Sequence, residues 1–198
     1  MIRRAFDVAV AGSVLVLTAP LLTAAAVAIK LTSRGPVLYR QTRAGLHGHR
    51  FEVVKLRTMV KGAEFIGAGM AVEEGDARIT RVGALLRRTS IDELPNLWNV
   101  LRGEMSVIGP RPTLPEQIEA YDERQRRRLD VKPGITGWAQ VNGRAALPWS
   151  ERIELDIHYV ENRSLRLDAT ILLRTARIVF GGDRGGGVYH PGGGGFDL

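Results

Sequence analysis

One stretch of this chain gathers the groups that covalent chemistry needs: Arg87-Arg88-Thr89-Ser90-Ile91-Asp92-Glu93-Leu94-Pro95-Asn96-Leu97. Two arginines precede two adjacent carboxylates, and an apolar helical pattern follows. Zero cysteines exclude thiolate nucleophiles, disulfides and cysteine-ligated zinc or iron–sulfur centres. Nucleophiles and bases must then come from His, Asp, Glu, Ser or Lys. Of the four histidines, His47 and His49 fall in a turn, His158 on a helical pattern and His190 in a glycine-rich tail. None has the spacing of a zinc site.

Two readings of the carboxylates compete. Ser90 and Glu93 have the S-x-x-E spacing of a capping box, and acids favour the first turn of a helix. A cap at Ser90, however, places Pro95 where it removes an interior hydrogen bond. With Pro95 at the first helical position instead, Asp92 and Glu93 occupy the preceding turn, at the positive end of a dipole and beside arginines. That arrangement suits anion chemistry. Gly109-Pro110-Arg111-Pro112 is a second candidate, because two prolines restrain the backbone around one arginine and suit it to a bidentate grip on phosphate or carboxylate. The alternative there is a rigid turn. Pro133-Gly134-Ile135-Thr136-Gly137-Trp138, with Gln140 and Asn142, either frames a pocket or packs.

The elements that must hold these groups begin with an apolar run. From Ala5 to Ile29 the only charge is Asp7, with Arg3 and Arg4 before it and Lys30 and Arg34 after it. At about 1.5 Å per residue, 25 helical residues reach about 37 Å against a bilayer core of about 30 Å. A signal peptide, a simple transmembrane helix and a re-entrant helix all fit this length. Pro20 favours the third, because it removes a donor to the Val16 carbonyl and bends the helix, with Thr18 and Thr23 nearby to satisfy freed groups. Basic residues at both ends agree, since positive charge marks the cytoplasmic side.

Past the breaker Ser33-Arg34-Gly35-Pro36, residues 37–41 and 50–56 read as strands of a hairpin. Residues 62–78 read as a mobile loop. Helical patterns follow near 82–88, 94–102, 115–130, 149–162 and 166–179, and the tail from Gly181 is expected to be disordered. The fold class is α+β, mainly helical with a small sheet. The domains are a re-entrant membrane helix at 1–32, a core at 33–180 and a tail at 181–198.

Lys and Arg total 28 against 21 Asp and Glu, a net +7 that points to anionic partners. Arg124, Arg126, Arg127 and Arg128 read either as a solvated helix face or as an interfacial helix on an anionic lipid bilayer. Nucleic acid is not expected, since no binding motif is present and aromatics do not interleave with the arginines. A basic, membrane-tethered scaffold without catalysis would need the anchor and arginines but not Asp92-Glu93 beside Arg87.

Taken in order, the motifs resemble the bacterial sugar transferases, the monotopic phosphoglycosyl transferases. They are Arg4-x-Phe6-Asp7, Ile29-Lys30-Leu31-x-Ser33-x-Gly35-Pro36-Val37, Gln41-x-Arg43-x-Gly45, Lys55-Leu56-Arg57-Thr58-Met59, Ser90 to Pro95, Leu97 to Leu101, Gly109 to Pro112, Lys132 to Gly143 and Glu154-Leu155-Asp156-x-x-Tyr159-Val160. The resemblance covers Arg3 to about Phe180 and matches the catalytic core alone. Ala19-Pro20 departs from the Ser-Pro at which such helices commonly break.

The resemblance implies transfer of a sugar 1-phosphate from a UDP-sugar to polyprenyl (undecaprenyl) phosphate, with release of UMP, at the cytoplasmic face of the bacterial inner membrane. It implies Asp92 as nucleophile of a covalent phosphosugar intermediate and Mg²⁺ at Glu93 and Asp92. Arg87 and Arg111, with Pro110 and Pro112, are implied on phosphate or nucleotide, and Lys55 and Asp156 on the pocket wall.

Overall fold

A computed structural model describes residues 2–66, 75–143 and 147–180. The chain packs as two compact units. The first joins residues 2–41 to Glu52–Arg102; the second joins Thr42–Phe51 to the chain from Gly103 on.

In the first unit, α1 (Ile2–Thr32) is assigned as helix without interruption, Pro20 included. It is long and apolar enough to cross a membrane, and it is mostly uncovered, unlike a soluble core helix. Its covered stripe recurs at helical spacing through Asp7, Ala11, Ala25 and Ile29, while Val16 and Leu17 are among the most exposed apolar side chains. Thr18 donates to the Val14 carbonyl and Thr23 to that of Ala19. Neither hydroxyl goes to Val16, so the expected repair of that carbonyl by the flanking threonines is corrected. Each threonine instead makes the ordinary bond one turn back along its own helix.

Both ends of α1 seat on the rest of this unit. Arg4 donates to the carbonyls of Val100 (2.5 Å) and Leu101 (2.6 Å), capping the last turn of α3 (Leu97–Arg102). At the other end Ala25 and Ile29 pack with Leu56 and Leu86 in one apolar cluster. The exit from α1 is fixed by Arg57, whose guanidinium donates to the carbonyls of Pro36, Arg34 and Ser33 and to Ser33 Oγ.

The expected hairpin is present. β1 (Leu38–Ala44) and β2 (Arg50–Leu56) form a two-stranded sheet with a short 3₁₀ turn, Leu46–Gly48, between them. α2 (Arg81–Thr89) starts at Thr80, whose hydroxyl accepts from the Gly83 N–H. It is followed by a 3₁₀ helix, Ile91–Asn96, and then by α3. Of the expected loop at 62–78, residues 67–74 lie outside the described residues. Its base is tied by Arg78, which is buried, bonded to the carbonyls of Ala63 and Ile66, and paired with Asp76.

In the second unit, β3 (Ser106–Ile108) and β4 (Gly134–Thr136) pair in parallel, with Ser106 opposite Gly134 and Ile108 opposite Thr136. A Cβ on Gly134 would lie 2.1 Å from the Gly109 nitrogen, so only glycine permits this approach. The helical pattern expected over 115–130 is broken into α4 (Pro115–Glu119), α5 (Glu123–Arg126) and a 3₁₀ turn, Arg127–Leu129. Asp122 causes the restart: its side chain accepts from the Gln125 N–H while Gln125 bonds back to the Asp122 N–H. The short α6 (Trp138–Val141) follows β4. α7 (Trp149–Glu161) and α8 (Leu165–Phe180) match expectation closely, and Ile153 and Ile157 of α7 form a core with Tyr121. The tail from Gly181 lies outside the described residues.

Of the arginine run, Arg124, Arg126 and Arg127 lie exposed, as a solvated face requires, and Arg128 alone is buried. Arg124 pairs with Glu154 (2.7 Å) and Arg127 with Glu161 (2.6 Å), both on α7. Arg128 is buried against Asp156 at 2.5 Å, with its guanidinium over the rings of Tyr121 and Trp149.

Candidate active site

The site in the first unit is built by a change of helix type. α2 ends at Ser90, which adopts a left-handed conformation (φ 56°, ψ 17°) that a residue with a Cβ adopts at a cost of about 1 kcal/mol or more. The chain then turns directly into the 3₁₀ helix, so Asp92 and Glu93 fall in its first turn. Neither expected arrangement is met. Ser90 makes no side-chain capping bond, and Pro95 lies inside the 3₁₀ helix rather than opening it. A 3₁₀ ladder would have residue 95 donate to the Asp92 carbonyl; proline supplies no N–H, so that bond is absent.

Asn96 fixes this helix, and Asn99 the following α3, against β2. Asn96 Oδ1 accepts from the Val54 N–H (3.0 Å), and Asn99 Nδ2 donates to the Glu52 carbonyl (2.6 Å), satisfying backbone groups of the strand. Lys55, next to Val54, is thereby brought to Glu93, with Nζ 2.8 Å from Oε1 and both side chains largely covered. Arg87, in the last turn of α2, donates from Nε to Thr58 Oγ1 at 2.8 Å.

Asp92, Glu93, Lys55 and Arg87 therefore share one locality, and its electrostatics act on Asp92. Burial pushes the Asp92 carboxyl up from the ordinary 3.8 to about 6, and the charge of Glu93 adds to this. Lys55 and Arg87 pull the other way, as does the residue's own N–H bonding to its carboxylate. A carboxylate held partly out of water, beside two cations, is suited to approach an anionic phosphorus. Among the described residues no cluster of three or more acidic or histidine ligands could hold a metal by itself. Two adjacent carboxylates do fit Mg²⁺, which completes its shell with water and substrate phosphate oxygens.

The other expected site residues belong to the second unit. Arg111 is exposed between Pro110 and Pro112, and its carbonyl accepts from Arg128. Asp156, implied on the pocket wall, belongs to the buried residues of this unit. It is buried and bonded to Arg128, because its neighbours Ile153 and Ile157 turn that face of α7 into the core. Asp156 and Tyr121 hold the Arg128 guanidinium charged against its burial. Trp138, Asn142, Leu155 and His158 line a cavity of about 720 Å³ in this unit. In the sequence Thr58 and Asn96 have no separate role, and Arg128 has only a place in the arginine run. Thr58 stood inside a quoted motif, but nothing in its type or spacing signalled its partner.

A model of the bacterial sugar transferase family matches residues 1–182. The chain belongs to the bacterial sugar transferase family and is an enzyme of the sugar-phosphate transferase class. It is 44% identical over 179 residues to the "uncharacterized sugar transferase EpsL" of Bacillus subtilis, covering 90% of this chain and 87% of that protein. It is 46% identical over 181 residues to the UDP-glucose:undecaprenyl-phosphate glucose-1-phosphate transferase of Caulobacter vibrioides, covering 87% of this chain and 67% of the relative. The undecaprenyl-phosphate glucose phosphotransferase of Komagataeibacter xylinus is 44% identical over 190 residues, but the match spans only 35% of its length.

Proposed function

We propose that this chain transfers a sugar 1-phosphate from a UDP-sugar to a polyprenyl phosphate such as undecaprenyl phosphate, as the first membrane step of exopolysaccharide or related glycan assembly. The observation that carries the reading is the Asp92-Glu93 pair at the strained start of the 3₁₀ helix, with Lys55 and Arg87 beside it. The names of the Caulobacter and Komagataeibacter relatives agree with this substrate class.

In the first step a carboxylate oxygen of Asp92 attacks the phosphorus that bears the sugar. The bond from that phosphorus to the bridging oxygen breaks, UMP leaves with the electron pair, and an aspartyl phosphosugar remains. In the second step a phosphate oxygen of the polyprenyl phosphate attacks the same phosphorus. Asp92 departs as carboxylate and the lipid-linked diphosphosugar is formed. Lys55 orients Glu93, and Arg87 offsets charge on the phosphate oxygens. Glu93 and Asp92 would hold Mg²⁺, which when bound supplies charge neutralisation at the pyrophosphate. Arg111, restrained by its two prolines, is proposed to grip phosphate or nucleotide.

A membrane-resident acceptor calls for an anchored enzyme, and we propose that α1 is re-entrant, with both ends at the cytoplasmic face of the inner membrane. A straight span holds its ends on opposite sides of about 30 Å of hydrocarbon. In support, Arg4 and Ile29 both bear on the unit that carries Asp92. α8 is proposed as an interfacial helix, since Leu165, Ala169, Leu173 and Ala176 form an exposed stripe flanked by Arg166 and Arg177.

The test is a single turnover of the full chain with Mg²⁺ and UDP-glucose as probe, without acceptor. One UMP per enzyme is expected, together with a mass gain of one hexose phosphate on the peptide that contains Asp92. Absence of the adduct, with intersecting initial-rate lines when acceptor is varied, would overturn the two-step route in favour of direct transfer.

A further inference from the structure

Thr58 ends the Lys55-Leu56-Arg57-Thr58 segment, in which the first three residues have evident work. Lys55 holds Glu93, Leu56 enters the core and Arg57 fixes the exit of α1. Thr58 is a buried polar residue, and its hydroxyl accepts from Arg87 Nε. Its backbone is unusually well fixed. The Thr58 carbonyl accepts from both the N–H (3.0 Å) and the hydroxyl of Thr80, the residue that caps α2. Gly83, on the first turn of α2, lies so near that a Cβ there would sit 1.9 Å from the Thr58 oxygen. Gly83 and Arg87 are one helical turn apart, so the contact that seats α2 on Thr58 also aims Arg87 at its hydroxyl.

The consequence lies in what this bond leaves over. Arg has five N–H donors, and Nε takes one of them to Thr58. Among the described residues no protein group accepts from the two terminal nitrogens of Arg87. Fastening Nε removes the rotamer freedom of the long side chain while keeping the planar fork available to two oxygens of one phosphate. We propose that Thr58 is a positioning residue that holds the Arg87 guanidinium in a set orientation toward a phosphate of the UDP-sugar. This rests on the transfer reaction proposed above. Thr58 itself touches no substrate; it acts through Arg87.

The experiment is a double-mutant cycle read by single-turnover UMP release from UDP-glucose, in the full-length membrane-reconstituted protein. Thr58→Val removes the acceptor at nearly constant shape and is expected to slow release about 10- to 100-fold, the range for a hydrogen bond to a charged group. Thr58→Ser keeps the hydroxyl and is expected to stay within about threefold of wild type on the same scale. In an Arg87→Lys background, which has no Nε, Thr58→Val should add less than about threefold, because the two residues act as a unit. An equal loss in both backgrounds would make Thr58 a mere packing residue and overturn the proposal, as would an active Thr58→Val variant.

A second measurement does not depend on any Thr58 variant folding. In wild-type protein labelled with ¹⁵N-arginine, the Nε–H signal that vanishes in Arg87→Lys should exchange slowly with water. Rapid exchange there would also overturn the proposal. If wild-type enzyme released no UMP while the Nε–H remained protected, the transfer reaction would fail and the Thr58–Arg87 bond would stand.

Discussion

Asp92→Asn should make this protein more stable at neutral pH while removing its activity. The carboxyl is displaced from 3.8 to about 6, chiefly by burial and secondarily by Glu93. An unfolded chain ionises Asp92 near the ordinary value, whereas the folded chain resists ionisation until about pH 6. Below about pH 4 both states are protonated and the residue costs nothing. As pH rises from about 4 to about 6 the unfolded state loses its proton first, so wild-type stability falls, and above about 6 the loss is complete. A gap of about two pH units corresponds to about 3 kcal/mol as an upper bound. Solvent reaches this half-buried side chain, so the realised figure is about 1–2 kcal/mol.

Asparagine keeps the shape and never ionises, so it escapes this cost. Thermal unfolding of the full chain in detergent, with chelator present, should show the variant ahead of wild type at pH 8 by roughly 2–8 °C, taking about 2–4 °C per kcal/mol for a chain of this size. At pH 4 the two curves should nearly coincide. The same variant should release no UMP. A variant equally stable at pH 8, or one whose advantage is the same at both pH values, would refute the electrostatic account of Asp92.

Other outcomes follow from the same geometry. Excess chelator should abolish UMP release and Mn²⁺ should partly restore it, since it accepts similar oxygen ligands; undiminished turnover in chelator would remove Glu93 from any metal role. Arg111→Lys keeps the charge but loses the planar fork, and should raise the barrier by about 2–4 kcal/mol, read as kcat/KM. Asp156→Ala strands a buried Arg128 and should cost about 3–5 kcal/mol in unfolding, whereas Arg128→Met with Asp156→Leu should recover much of it. If Asp156→Ala left stability unchanged, its placement in the core would be wrong.

The long-range plan of the fold was readable because it rests on periodicity. The apolar run, the hairpin, α2, α7 and α8 each repeat their signal over seven or more residues, so no single residue decides the outcome. The failures fall where one residue does decide. Over 115–130 the composition favours a continuous helix, yet Asp122 and Gln125 cap a restart within it. β3 and β4 are three residues each, too short to show alternation, and their pairing depends on glycines spaced for backbone approach. At the site, Asp92 and Glu93 stand out as candidates by type and by the conflict between Ser90 and Pro95. The resolution of that conflict is not legible, because a left-handed serine followed by a 3₁₀ turn is set by where α2 and β2 hold its ends.

The same distinction explains why the burial of Asp156 and Arg128 is not legible in the sequence. Charged residues are exposed by default, and a run of four arginines in five positions reads naturally as a surface. Burial of Arg128 requires partners distant in sequence: a carboxylate from α7, the Tyr121 hydroxyl and two aromatic faces, one of them Trp149. No local window contains that set. Asp156 is the complementary case: the resemblance implies it on the pocket wall, and its burial follows from α7 turning Ile153 and Ile157 into the core beside it. Arg128 then donates to the carbonyl of Arg111, which joins this buried pair to the backbone of the proline-flanked arginine. A charged residue in a motif can thus be held in the core by partners distant in sequence and still fix the backbone of an exposed neighbour.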